Sequence, residues 1–126
     1  MPSTLVDIFP LLSYYTTILA LFATIPAVVT GFSDLLPLIL RDGLNSPKVR
    51  TGLTHAGLND VATLALVYNW WTRRGLEGHA AEPINVMLSG VLAMPVMFYA
   101  ASLGGHLVFV YGMGVGKSSS KQKKAL

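Results

Sequence analysis

Two long stretches of this chain carry no charged residue, and no other feature limits its fold so tightly. From Ile8 to Ser33, 26 residues pass without an Asp, Glu, Lys or Arg; from Pro83 to Gly116, 34 residues do. A bilayer crossing needs about 20 predominantly apolar residues, so either run is long enough. Between them, Thr51–Thr72 holds one acid, Asp60, and one histidine, His55, in an otherwise apolar segment. It closes on Trp70 and Trp71 followed by Arg73 and Arg74, the aromatic belt and basic anchor expected where a helix leaves hydrocarbon. Composition agrees. Of 126 residues, 52% are hydrophobic and 12% charged, against about a quarter charged in a soluble domain. A mean hydropathy of +0.56 excludes an intrinsically disordered chain and argues against an ordinary water-soluble enzyme. Cysteine is absent, which rules out disulfides, thiolate metal sites and thiol nucleophiles.

The pattern predicts an all-α membrane protein, a bundle of three transmembrane helices over about 8–30, 51–72 and 84–112, forming one domain to residue 116. Pro10 sits near the start of the first helix, where its missing N–H costs little. Pro26 is expected to kink or stop that helix near its end. Gly31-Phe32-Ser33-Asp34 is read as a break, and Leu35–Leu40, interrupted by Pro37, as a short segment lying at the membrane interface. A cleavable signal peptide fits the N-terminus poorly, because the leading MPSTLVD has no Lys or Arg and the apolar run exceeds the usual length. Gly112, Gly114 and Gly116 are expected to end the third helix early. The tail 117–126 is basic and expected to be disordered.

With three spans, the N-terminus and second loop share one side and hold two basic residues, Arg73 and Arg74. The first loop and tail hold the other seven: Arg41, Lys48, Arg50, Lys117, Lys121, Lys123 and Lys124. The positive-inside rule therefore places the C-terminus in the cytosol. Lys124 and Lys123 stand third and fourth from the carboxyl end, counting Leu126 as the first. That spacing on a cytosolic tail resembles the dilysine signal that retrieves membrane proteins to the endoplasmic reticulum, a receptor-read address rather than an anchor.

Three patches, TGFSDLLPL (30–38), RTGLTHAGLNDVATLALVYNWWTRR (50–74) and LGGHLVFVYGMGVG (103–116), together resemble the integral-membrane family catalogued as domain of unknown function 2231. The shared features are a Gly-x-x-Asp after one helix, a His–small–x–x–Asn segment opening the next, and a Gly-Gly-x-Leu-Val ending with spaced glycines. Family members typically have four helices, the first introduced by a His-Pro motif. This chain starts where the second would, as a short form or a clipped gene model, so functions needing the first helix fall outside what the resemblance implies. Some bacterial relatives are joined to Rieske-type iron–sulfur domains, which implies electron transfer as one expectation.

Ionisable groups inside membrane spans are rare and costly, so each is a functional candidate. Asp34, His55, Asp60 and His106 qualify. His55 lies about 7–8 Å in from Arg50 and His106 at most about 15 Å from Gly116, while Asp34 follows the first helix on the same side. Asp34, His55, Asn59 and His106 are therefore expected to converge in the cytosolic half of the bundle. Asn59 shares a face with His55 at i+4, whereas Asp60 points about 140° away from it. Gly52, Ala56, Gly57, Gly104 and Gly105 permit close helix approach or a flat cofactor. The first expectation is a direct hydrogen-bond network. The alternative is haem b or another metal held by His55 and His106, with Asp34 or Asn59 supporting a ring nitrogen.

Other motifs carry less. His79, beside Glu77 and Glu82, reads as a solvated loop. Met87, Met94, Met97 and Met113 read as packing or lipid-facing filler. GMGVGK is one residue short of a phosphate loop and lacks its preceding strand. No catalytic set can be assigned. The function expected is that of a small accessory protein of the endoplasmic reticulum membrane, positioning or stabilising a membrane partner, with the bilayer and another membrane protein or a second copy as its partners. No cofactor, metal or nucleic acid is expected. The alternative is a membrane oxidoreductase or electron carrier using the His pair on haem, metal or quinone, or an enzyme acting on a lipophilic metabolite with His55 or Asp34 as general base.

Overall fold

The computed structural model describes residues 5–114. All regular structure among them is helical. Helix α1 runs Leu5–Asp42 and α2 runs Pro47–Arg73. A single 3-10 turn, Glu77–His79, leads to α3, Pro83–Met87. A π-helical segment, Leu88–Ala93, joins α3 to α4, Met94–Phe109. The turn 43–46 is short enough to force α1 and α2 antiparallel. Gly43, at φ +77°, closes α1 with its N–H on the Ile39 carbonyl at 3.0 Å, and Pro47 opens α2 at the position where an N–H is dispensable. At the same end Arg41 donates two hydrogen bonds to Asp42 (2.7 and 2.9 Å), which hold the Asp42 carboxyl below the usual carboxylate range.

The three-helix architecture stands, but the expected break in the first helix does not. Helix α1 passes through Pro26 and through Gly31–Asp34, and Leu35–Leu40 forms its last turns rather than a separate interfacial segment. A proline inside a helix removes one intrahelical bond and crowds one carbonyl. Pro10, Pro26 and Pro37 lie far enough apart that each turn between them keeps its own ladder, which membrane helices tolerate. At 38 residues the helix is about 57 Å long, well over the roughly 30 Å hydrocarbon core. The third expected helix is also not uniform. Its π turn ends two residues before Pro95, where the wider helix gives room to the carbonyl that a proline ring would crowd. It ends at Phe109, ahead of Gly112 and Gly114, both at positive φ.

Helix α2 is the spine. It packs against α1 on one side and α4 on the other, while α1 and α4 barely meet. Two stretches, Leu5–Asp42 and Glu77–Phe109, are each long and apolar enough to cross a membrane; α2 is the least apolar of the long helices. Its place explains this, since a helix covered on two sides needs less lipid-facing surface. Close contact is set by small residues. A Cβ on Gly52 would stand 2.7 Å from Leu35 Cδ1, and one on Gly104 would stand 3.0 Å from His55 Cε1. Val49, Ala62 and Ala65 of the spine and Ala100 of α4 fill the rest of the contact.

Candidate ligand cleft

Because α1 and α4 do not close on each other, a trough is left between them with α2 as its floor. Ala20, Ala23, Ala27 and Gly31 recur every three or four residues on α1, one small stripe facing inward. Across from them stand Gly52, Ala56, Asn59 and Thr63 of α2, with Met97, Leu107 and Met113 closing the third side. The resulting cavity holds about 580 Å³, within the roughly 300–1,000 Å³ of small-molecule sites, and has their makeup: mostly apolar walls with a few polar groups.

His55 is fixed at the edge of this cleft. Its Nδ1–H donates to the Ala100 carbonyl at 2.7 Å. A carbonyl only accepts, so the proton of the neutral ring sits on Nδ1 and Nε2 is left as an acceptor. Asn59 Nδ2 supplies the partner at 3.2 Å and gives its other hydrogen to the His55 carbonyl at 2.8 Å. Both ring nitrogens are thereby engaged. With both amide hydrogens spent, Asn59 Oδ1 accepts no hydrogen bond among the described residues.

Of the four residues expected to converge, the structure joins His55 to Asn59 and sets the other two apart. His106 lies two residues beyond Gly104, about 200° around α4 from the face that touches His55. It is exposed, meets Tyr111 edge-on at 5.2 Å, and lines a separate, shallower groove with Thr51, Ser102 and Phe109. The two histidines thus open into different cavities. Asp34 is exposed near the end of α1, and a Cβ on Gly114 would stand 4.0 Å from its carboxylate. Asp60, expected to point away from His55, lines the same cleft, because the trough wraps more than one face of α2. Among the described residues no cluster of three or more His, Asp or Glu could hold a metal.

A second polar centre lies at the opposite end and was not foreseen. Arg73, expected to reach toward lipid headgroups, is 2% exposed. Its guanidinium donates to the Pro10 carbonyl (2.6 Å), Ser13 Oγ (3.2 Å) and the His79 carbonyl (2.9 and 3.0 Å). His79, expected to be a solvated loop residue, stacks on Tyr14 with ring centroids 3.9 Å apart and donates Nδ1–H to the Arg73 carbonyl at 3.1 Å. Arg74 takes the exposed place, 3.5 Å over the Trp71 ring. Beside them, Asn85 donates to Thr72 Oγ1 (2.9 Å) and Asn69 to Ser89 Oγ (3.1 Å), binding the third rod to α2. Asn69 Oδ1 is buried without a partner among the described residues. The one sequence signal for this centre is the presence of amides in apolar segments: Asn69 in VYNWW and Asn85 in a charge-free run.

A comparison with curated proteins and with solved structures finds no match for the chain. A family described as predicted membrane protein, domain of unknown function 2231, matches residues 6–117. The match covers all three long helices and both polar centres, so the protein belongs to that membrane-protein family.

Proposed function

We propose that the protein is a small accessory component of the endoplasmic reticulum membrane that positions or stabilises a membrane partner along the outer face of α1. One observation carries this reading: across the most apolar 18-residue stretch of α1 no residue is buried within the chain. Phe9, Phe22, Ile25, Val29 and Phe32 all stand more than half exposed, and α1 is gripped by α2 alone among the long helices. Apolar surface on this scale is a contact surface, for lipid or for another helix. A thin bundle with one uncovered flank suits a protein that works beside another. The reading draws nothing from redox chemistry, since His55 has both nitrogens hydrogen-bonded and His106 opens elsewhere.

A photo-crosslinking side chain at Phe22 or Val29 is expected to capture a protein, either a partner or a second copy, in intact membranes, while one at buried Ala62 captures none. Lipid adducts alone at every outward position of α1 would overturn the reading. The location rests on Lys123 and Lys124, which lie outside the described residues together with the rest of the tail 117–126. Replacing both with Ser is expected to let the protein leave the endoplasmic reticulum. Unchanged distribution of the double variant in fractionated cells refutes that assignment.

A further inference from the structure

Midway along α2 stands a carboxylate that meets no cation among the described residues. Asp60 is the fourteenth of the 27 residues of α2, about 20 Å from either end, and it lines the cleft. The one salt bridge among the described residues is Arg41–Asp42 at the far end of α1. Its side chain is exposed to the cleft rather than buried in protein, and an ionisable group midway along a membrane helix marks a pathway or a ligand. It is not alone. Asn59 Oδ1 has no donor, its amide hydrogens being committed to His55, and the Thr63 hydroxyl makes no hydrogen bond among the described residues. Asn59 and Thr63 are i and i+4, Asp60 and Thr63 i and i+3, so the three groups occupy one turn of one helix. All three line the same apolar cavity of about 580 Å³.

One negative charge and two neutral acceptors on a single turn match a group with three N–H donors and one positive charge. We propose that the cleft binds a long-chain primary amine, its ammonium held by Asp60, Asn59 and Thr63 and its alkyl chain laid along Ala20, Ala27 and Leu66. An alcohol brings one donor and no charge, a fatty acid brings a repelling charge, and a quaternary amine brings charge without donors. Charge-assisted hydrogen bonds are roughly twice as strong as neutral ones, so the ammonium is preferred over each.

The test is equilibrium binding to the full chain in neutral-detergent micelles, followed by native mass spectrometry and calorimetry, with hexadecylamine as probe. Hexadecanol, palmitate and hexadecyltrimethylammonium serve as comparators. Hexadecylamine is expected to bind one to one and at least about tenfold tighter than each comparator. Asp60→Asn is expected to lose that preference, Thr63→Val to weaken it severalfold, and Ser102→Ala, outside the cleft, to leave it intact. The comparison among the four probes on the unmodified protein needs no variant to fold. Equal binding of hexadecanol, or of the trimethylammonium probe, overturns the proposal, as does undiminished hexadecylamine preference in a folded Asp60→Asn protein.

Discussion

Replacing Arg73 by alanine is expected to cost about 2–4 kcal/mol of stability, among the largest single effects in the molecule. Its guanidinium ties the end of α2 and the nearby loop at His79 to the distant first turns of α1 through Pro10 and Ser13. Without it the Ser13 hydroxyl and the His79 carbonyl lose their donors in a place where water is scarce, and the Tyr14–His79 stack loses its frame. Arg73→Lys is expected to fall between, at about 1–2 kcal/mol, because an ammonium keeps the charge but not the planar fork that reaches Pro10 and His79 together. Reversible unfolding in mixed micelles measures both. A lysine variant as stable as the wild type would show that charge alone, and not the fork, does the holding.

At the other end, Gly52→Val is expected to destabilise by about 2–3 kcal/mol through overpacking, since even a Cβ there would stand 2.7 Å from Leu35 Cδ1. The cause can be isolated. If the clash with Leu35 is responsible, Leu35→Ala in the same chain restores room, and the double variant is less destabilised than the two single losses combined by about 1 kcal/mol or more. Simple additivity in that cycle means that the close approach of α1 to α2 does not depend on this pair.

These two sites show how far the sequence could be read. Three helices and their order followed from charge-free runs and turn residues, signals that are local and strong. The close contacts at Gly52 and Gly104 were legible as small residues beside polar ones. What escaped depends on rotation and environment. Arg73 and Arg74 are neighbours of one type beside two tryptophans, yet one is buried and one exposed; only the packing of α1 decides which. Gly31, Pro26 and Pro37 suggested a broken helix because soluble-protein rules treat each as a stop, whereas a membrane helix gains too much from its backbone ladder to end there. Convergence of Asp34, His55 and His106 was inferred from depth along the helices. Depth was the readable coordinate, but the direction around α4, which turns His106 away from His55, was not. Asp60 was set aside by the same kind of angular argument, which assumed a narrow seam between two helices where the structure has a broad trough.

That α2 is the spine bears on how the protein reaches its membrane. The helix that both neighbours lean on is the one least able to enter hydrocarbon unaided, and it is made after α1. Joined to α1 by the tight turn 43–46, it has a partner as it leaves the ribosome, and the two can be inserted as a hairpin whose apolar first arm carries the second. The polar flank of α2 at His55, Asn59 and Asn69 then waits, half covered, until the last rod arrives with the Ala100 carbonyl and Ser89 hydroxyl. Assembly therefore has an order written into it, and the final step is the covering of exposed amides rather than the burial of more oil.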